Sequence, residues 1–236
     1  MGRAFEVRKQ SMAKTAAAKT RVYSKYGKEV YMAAKNNPDP EVNTELKRVI
    51  ERAKKDQVPN DIIKRAIDKA KGGSDDNYTV ARYEGFGPNN SLFIVECLTD
   101  NVNRTISEVR NCFTKSNSKL GVAGSVSHMF TYESVFAIKG ATEDEIYEII
   151  LENDINANEI EADEQGVSIY GDANDYSSIR NALLAANPEF EFVTDEIMWL
   201  PTVEVTLTEQ DDIDMFEKLT SMLDELDDVK DVYHNV

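Results

Sequence analysis

The chain has 236 residues, of which 41% are hydrophobic, and a formal net charge of −16. This length predicts two or three compact units, each able to bury its own core. No apolar run reaches the roughly 18 residues that cross a bilayer, and the N-terminus lacks the apolar segment of a signal peptide, so we expect a cytoplasmic protein and no membrane partner.

Charge is divided unevenly along the chain. Residues 1–73 carry 18 Lys and Arg against 9 Asp and Glu, whereas residues 74–236 carry 9 against 34. Such asymmetry predicts a basic nucleic-acid-binding arm on an otherwise acidic protein. The alternative is that the basic helix surfaces serve only for solubility.

The two cysteines, Cys97 and Cys112, fall on a predicted strand and a predicted helix without metal-ligand spacing. This pattern fits a reducing compartment better than a disulfide scaffold. We therefore expect two core or half-buried thiols.

The first residues predict a basic arm that leads into a helix. Residues 1 to about 20 carry frequent positive charge and little to bury, so we expect a mobile or marginal helix there. From Arg21 an apolar stripe at helical spacing predicts a first helix that ends near residues 36–40. The stripe consists of Val22, Tyr26, Val30 and Ala33.

Two further helices complete a predicted bundle. Asp39 as cap and Pro40 in the first turn predict the start of the second, with Val42 on its inner side. Residues 59–60 open the third, and the glycines at 72–73 stop it. Short joins between three amphipathic helices indicate a small all-α domain, and residues 74–78 read as a linker.

Residues 82–130 predict the central part of the fold: strand, turn, strand, helix, glycine loop and strand. A glycine, proline and asparagine cluster at 85–90 predicts the turn, and the apolar run 92–98 predicts a half-buried strand. Asp100, Asn101 or Asn103 could cap the helix, whose apolar stripe is Val102, Ile106, Val109 and Phe113. After the glycine loop, residues 126–130, including His128, are expected to return as a strand.

The rest of the chain predicts a βαββαβ unit and a closing strand, helix and strand. The βαββαβ unit begins with a strand at 134–138 and ends with one from about 190 to 199, which is the ferredoxin-like order. The closing elements are a strand at 202–207, a helix capped by Thr208, and a strand at 229–233. These three are too few to form a domain alone, and the central part also lacks a covered sheet, so we expect the two to complete each other.

We therefore predict an α+β multidomain protein in which an N-terminal all-α helical bundle precedes two α+β domains. Residues 1–78 form the basic arm and bundle. Residues 79–131 plus 202–236 form a discontinuous α+β hub domain. Residues 132–201 form a ferredoxin-like domain inserted into the hub.

Catalytic chemistry has little support in the sequence. There are only two histidines, His128 and His234, and no hydrolase, zinc-protease or nucleotide-binding motif. The acidic run 211–228 could attract Mg²⁺, but its spacing is that of a solvated helix face. We expect no cofactor, no metal and no enzymatic activity. The loop 121–125 could present backbone amides to phosphate, although a plain loop is favoured.

Phosphate contact is the chemistry that the sequence favours. Lys and Arg on outer helix faces bind nucleic-acid backbones by releasing counterions. No base-reading motif is evident, so we expect contacts mostly to phosphate or shape. The predicted contacts of the arm and bundle are Arg3, Arg8, Lys9, Lys14, Lys19, Arg21, Lys47, Arg48, Lys54, Lys55, Lys64, Arg65, Lys69 and Lys71. Those of the hub are Arg82, Arg104, Arg110, Lys115 and Lys119.

Several motifs resemble the YebC/PmpR family. They are YEGFGP (83–88), NVNRT (101–105), EVR (108–110), LGVAGSVSHMF (120–130) and VYHN (232–235). The start MGR and the ending YHNV resemble the YeeN branch, and the family's more usual start, GHSKW, is absent. The resemblance implies an all-α N-terminal domain and two α+β domains, one inserted in the other, with no enzymatic activity.

The resemblance also implies a role in gene expression. Family members are described as DNA-binding transcriptional regulators. Others, including a mitochondrial relative that activates translation, look like ribosome-associated factors that help synthesis through difficult stretches such as proline runs. We expect a DNA-binding transcriptional regulatory protein.

Two alternatives stay open. The first is a ribosome-associated translation factor that binds rRNA or tRNA, and the second is a protein-interaction adaptor. The acidic domains should limit the nucleic-acid footprint or contact a protein partner.

Overall fold

The computed structural model describes residues 16–73 and 77–236, with side chains from residue 19 onward. The helices are α1 (Ala16–Asn36), α2 (Thr44–Lys55), α3 (Asn60–Lys71), α4 (Val102–Lys115), α5 (Glu143–Glu152), α6 (Tyr176–Ala186) and α7 (Gln210–Asp224). The strands are β1 (Thr79–Phe86), β2 (Leu92–Thr99), β3 (Lys119–Leu120), β4 (Phe130–Lys139), β5 (Glu159–Asp163), β6 (Gly166–Asp172), β7 (Glu191–Pro201) and β8 (Val229–His234).

These elements form two compact units. The first contains the described residues up to Val126 together with Val205–His234 and Val236, and the second contains Ser127–Glu204 with Asn235. The mixed α+β class predicted from the sequence is confirmed, because helices accompany two antiparallel four-stranded sheets. The three-domain bounds stay a prediction.

Helices α1, α2 and α3 pack around one apolar core in the first unit. Val30, Leu46 and Ala53 are fully buried, and Tyr26 and Ile63 are nearly so. The predicted stripe of α1 and the start of α3 at Asn60 are confirmed. The helix α1 begins at Ala16, earlier than the Arg21 expected from the pattern.

The predicted start of α2 is wrong. Asp39 and Pro40 lie in a turn, and Asn43 caps the helix by accepting a hydrogen bond from the Leu46 amide at 3.0 Å. The Asn43 amide group also donates to the carbonyl oxygens of Ala33 and Asn37, so one side chain closes the α1–α2 connection. Val42, placed on the inner side by the sequence, is 69% exposed because it precedes the helix.

The sheet of the first unit has strand order β3-β1-β2-β8 with antiparallel neighbours. Helices α4 and α7 contribute to its core, where the Phe93 ring lies 5.9 Å from Phe113 and 5.4 Å from Phe216. Asn89 and Asn90 adopt positive φ angles of 48° and 57° in the β1–β2 turn, which asparagine tolerates better than most residues. Both cysteines are buried free thiols, as predicted.

Two strand predictions near the ends of the second unit are wrong. Residues 126–129 contain no strand, and β4 begins only at Phe130. The Val126 amide donates a hydrogen bond to the buried Glu84 carboxylate. Ser127–Met129 form a 3₁₀ turn, in which His128 is exposed. Residues 202–207 likewise form no strand, and the strand beside β2 is β8. The helix that follows begins at Gln210 after Glu209, without the predicted Thr208 cap.

The second unit follows the predicted βαββαβ element order. Its strands lie in the order β5-β6-β4-β7, with antiparallel neighbours throughout. This is the strand order of a split βαβ arrangement. Residues from the sheet and from α5 and α6 share one core, which includes Phe136, Ile146, Ile169, Ile179 and Leu183.

Candidate nucleic-acid interface

The helix α2 presents a basic outer face because its apolar residues lie on the opposite face, which is buried in the core. Leu46, Val49 and Ala53 are buried at helical spacing. Lys47, Lys54 and Lys55 are therefore exposed on the remaining surface, while Arg48 is half-buried.

The helix α3 repeats this arrangement. Ile63 and Ala66 are buried, which leaves Lys64, Arg65, Lys69 and Lys71 exposed. Together, α2 and α3 carry nine basic residues against four acidic ones within 24 helical positions. Seven of the nine, all except Arg48 and Arg52, are exposed, and exposed cations at this density are what a phosphate backbone requires for counterion release.

The remaining predicted contacts of the arm and α1 fall into two groups. Lys19 is exposed, and Arg21 is half-buried with its guanidinium 4.0 Å from the Glu225 carboxylate. Arg3, Arg8, Lys9 and Lys14 lie outside the described residues.

Three predicted contacts in the sheet part of the first unit are exposed cations: Arg110, Lys115 and Lys119. Arg82 is also exposed, but it pairs in register with Glu96 of the neighbouring strand. Lys218, absent from the predicted contacts, donates to the Lys115 carbonyl at 2.7 Å and adds a cation at the end of α4.

Arg104, one of the predicted phosphate contacts, is exposed, but its guanidinium is already paired with carboxylates of the protein. Its side chain is 44% exposed, yet the same Nη2 atom lies 2.7 Å from Asp100 and 2.6 Å from Asp228. These hydrogen bonds, above all the one to Asp228, raise the pKa of Arg104. A phosphate would have to compete with two carboxylates for this group.

Asp228 joins the helical bundle to the sheet. Its carboxylate is 3% exposed and accepts hydrogen bonds from Lys28 at 2.7 Å, Arg104 at 2.6 Å, and the hydroxyls of Thr99 and Thr105 at 2.9 Å each. Burial opposes ionisation, but the four donors outweigh it and hold the pKa of Asp228 well below its usual value.

Lys28 reaches beyond Asp228, since its ammonium group also donates to the Asp227 carbonyl at 3.0 Å. The sequence offered no signal for this contact, because Lys28 and Asp228 are 200 residues apart. An α1 cation thus serves the fold rather than the outer basic surface.

The glycine loop 121–125 is held by an internal carboxylate. Glu84 is 3% exposed and accepts hydrogen bonds from the amides of Gly124 at 2.9 Å and Val126 at 2.7 Å. These are backbone donors of the kind that a phosphate would use. The phosphate role considered for this loop is therefore not supported at these two amides.

The second unit has an acidic surface. Residues 127–204 contain eighteen Asp and Glu but only two basic residues, Lys139 and Arg180. Arg180 pairs with Asp195 at 2.9 Å, and Lys139 lies 3.9 Å from Glu191. Within residues 127–204 nothing resembles the basic faces of α2 and α3.

No cluster of metal-ligating side chains occurs within residues 16–73 and 77–236. In the same ranges no helix combines the length and hydropathy needed to cross a membrane. His234 is buried beside Phe93 and Phe216, and burial lowers its pKa to about 4 despite a hydrogen bond with the Val236 backbone.

Comparison with known proteins covers nearly the whole chain. Residues 3–73 match the model of the TACO1/YebC protein N-terminal domain, and residues 78–236 match that of the TACO1/YebC second and third domain. A protein of Alteromonas mediterranea is 53% identical over 236 residues, which are 100% of this chain and 98% of the relative. A protein of Acholeplasma laidlawii is 56% identical over 237 residues, with the same shares. Both are named "Probable transcriptional regulatory protein".

One solved structure is similar over most of its length. The crystal structure of a conserved hypothetical protein, Aq1575 from Aquifex aeolicus, is 31% identical and superposes with a TM-score of 0.78. The match covers 94% of this chain and 92% of that one.

Proposed function

This chain belongs to the TACO1/YebC family, and on that premise we propose that it is a non-enzymatic regulator of gene expression that binds nucleic acid through the outer faces of α2 and α3. The relatives from Alteromonas and Acholeplasma carry the name of transcriptional regulators, which favours DNA as the target. The single observation that carries the proposal is the row of exposed Lys and Arg on these two helices in an otherwise acidic protein.

The binding should be electrostatic and weakly sequence-selective. Lysines on flexible stems act as point charges toward phosphate and carry little base information. Arg110, Lys115 and Lys119 extend the cationic surface within the same unit, whereas Arg104 contributes through the fold.

The proposal predicts loss of affinity when α2 and α3 lose charge. The variant combines Lys47→Gln, Lys54→Gln, Lys64→Gln and Arg65→Gln, all at exposed positions. Each lost phosphate contact reduces the slope of log affinity against log salt by roughly 0.9 for duplex DNA, so we expect a reduction of about 2 to 4 and a weakening of at least about tenfold at low salt. Fluorescence anisotropy with a labelled duplex measures both quantities.

A matched control separates local charge from net charge. Asn156→Asp, Asn158→Asp, Gln165→Glu and Asn181→Asp lower the net charge by the same four units at exposed sites of the second unit. This control should leave the salt slope nearly unchanged. Equal losses in both variants, or unchanged affinity in a folded quadruple Gln variant, would contradict the proposed interface.

A ribosomal target is the second candidate. The strongly acidic second unit favours a short local contact, as in an rRNA pocket, over a long duplex. A DNA regulator should shift a preferred promoter fragment, whereas a ribosome-associated factor should co-sediment with ribosomes and show no promoter preference. Crosslinking in cells followed by sequencing of bound DNA and RNA distinguishes them. A protein-interaction adaptor would show neither, and its binding to heparin or nucleic acid would be absent or would not weaken as salt rises.

A further inference from the structure

An open groove runs between α1 and α3 in the first unit. Its volume is about 320 Å³, and Tyr78, which follows the bundle in the chain, forms part of its wall. Its lining also includes Gly27, Lys28 and Tyr31 of α1 and Arg65 and Lys69 of α3. This volume lies near the lower end of the range of about 300–1,000 Å³ found for small-molecule sites, which is suitable for a single nucleotide but not for a duplex.

The groove combines aromatic rings with cations. The rings of Tyr31 and Tyr78 meet edge to face with centroids 5.7 Å apart. The ammonium of Lys28 lies 5.8 Å from the Tyr78 centroid, and that of Lys69 lies 5.6 Å from the Tyr31 centroid. Aromatic surface beside Lys and Arg is the combination by which proteins hold unstacked bases and their phosphates.

Gly27 is the feature of the groove that the fold does not explain. It lies within the 21-residue helix α1, and glycine is the poorest helix former after proline. Its φ is not positive, so the backbone does not require glycine. A Cβ at this position would meet only the Ile62 Cγ2 within 4 Å, at an ordinary 3.8 Å, so helix packing does not require it either. What the missing side chain does provide is open space in the groove.

The cations of the groove have different tasks. Lys28 is tied to the buried Asp228 carboxylate, so much of its charge is already balanced. Arg65 and Lys69 are exposed on α3 and belong to the basic face described above. Arg65 and Lys69 therefore connect the groove to the phosphate-binding surface, and a strand whose phosphates follow α3 could place one base beside Tyr78.

We propose that the α1–α3 groove binds one unstacked base of a single-stranded nucleic acid whose phosphates contact Arg65 and Lys69. The inference rests on the proposed nucleic-acid function and adds that the ligand has an unpaired segment. Bases inside a duplex are already stacked on their neighbours and cannot enter without being flipped out.

The test fills the groove without touching its charges. Gly27→Leu places a branched side chain in the space, and Gly27→Ala is the matched control that adds only the Cβ for which there is room. Anisotropy is measured with labelled 12-nucleotide oligo(dT), oligo(U) and a 12-base-pair DNA duplex. We expect Gly27→Leu to weaken binding of at least one single strand by about fivefold or more and of the duplex by less than about twofold.

The control is expected to behave differently. Gly27→Ala should bind like the wild type and should raise the midpoint of thermal unfolding by about 3 °C, because alanine favours the helix. A Gly27→Leu variant that stays folded and loses single-strand affinity separates binding from stability. If Gly27→Leu fails to fold, Tyr78→Leu gives the same comparison at the wall of the groove without changing a charge.

The outcomes separate this inference from the proposed function. If the wild type binds none of the three probes, the proposed function fails. If it binds them and the groove variant weakens none, or weakens the duplex as much as the single strands, the proposed function stands and the groove inference is overturned. The ratio of oligo(U) to oligo(dT) affinity identifies RNA or DNA as the preferred source of the base.

Discussion

Asp228 illustrates how a single side chain sets the role of several others. Its carboxylate accepts hydrogen bonds from Lys28 of α1, Thr99 of β2, and Arg104 and Thr105 of α4. A buried carboxylate with four donors is stable only while all of them stay in place. Arg104, which belongs to the family-like NVNRT segment, thereby has a role in the fold, and its phosphate contact stays a prediction.

His234 predicts a pH dependence of stability. Burial lowers its pKa to about 4, against about 6.5 in an unfolded chain, so between these values the unfolded state binds a proton that the folded state does not. Stability from this residue is complete above pH 6.5 and is lost as pH falls toward 4, by about 3 kcal/mol in total. Urea denaturation from pH 7 to pH 4.5 should therefore show a falling free energy of unfolding.

The variant His234→Phe removes this titration while keeping a ring against Phe93 and Phe216. Its free energy of unfolding should fall less over the same pH interval than that of the wild type. The control His128→Gln changes the other, exposed histidine and should keep the wild-type slope. Parallel slopes for wild type and His234→Phe would show that His234 is not the group responsible.

At the scale of elements, Glu84 makes the glycine loop a fixed structure. Its carboxylate binds the amides of Gly124 and Val126 from across the sheet edge, and the Gly121 amide donates to the Glu84 carbonyl at 2.8 Å. Gly124 adopts a φ of +83°, a conformation that residues other than glycine rarely adopt. The loop thus holds Val122, which is 76% exposed, at a defined position.

Glu84→Gln should loosen this loop. A neutral amide accepts weaker hydrogen bonds than a carboxylate and brings an NH₂ group toward one of the two backbone amides, which leaves that donor poorly paired. Hydrogen exchange at Gly124 and Val126 should accelerate by about tenfold or more, with little change in the bundle. Glu108→Gln on α4 is the control and should leave loop exchange unchanged. Unaltered protection at both amides in Glu84→Gln would contradict the role assigned to this carboxylate.

The elements also show what periodicity can predict. Stripes such as Tyr26 with Val30, or Val109 with Phe113, are local patterns and identify helices correctly. Competition between two sites is harder to predict: Asn43 caps α2 in place of Asp39 because it also closes onto Ala33 and Asn37. Residues 202–207 alternate like a strand, but whether they pair depends on which segment occupies the sheet edge.

In the candidate site, too, features set by local spacing were predictable from the sequence and contacts between distant residues were not. Exposed lysines on α2 and α3 follow from helical spacing alone, because burial of one face fixes the other. Contacts between distant residues, such as Lys28 with Asp228 or Glu84 with Gly124, leave no local pattern in the sequence. The groove beside Gly27 could not be predicted from the sequence either. It forms only where α3 packs beside α1, and a glycine within a predicted helix does not indicate that packing.

At the scale of the whole molecule, charge is segregated between parts of one chain. Basic residues concentrate before residue 74, and nearly all charged residues of 127–204 are acidic. An acidic surface repels a polyanion over about one Debye length, roughly 10 Å at 0.1 M salt. The acidic unit should therefore discourage long nucleic acids more than short ones, because a longer ligand has a greater chance of approaching it.

Partial neutralisation of the second unit tests this length effect. Glu148→Gln, Glu152→Gln, Glu164→Gln and Glu189→Gln remove four exposed carboxylates. At about 30 mM salt the variant should bind a 60-base-pair duplex about two- to fivefold more tightly than the wild type, with less than about twofold change for a 12-base-pair duplex. The charge-preserving Glu→Asp changes at the same four positions should bind both like the wild type, and raising salt to 0.15 M should shrink the difference. An equal gain on both duplexes would mean that net charge alone governs affinity and that the acidic unit does not select for short contacts.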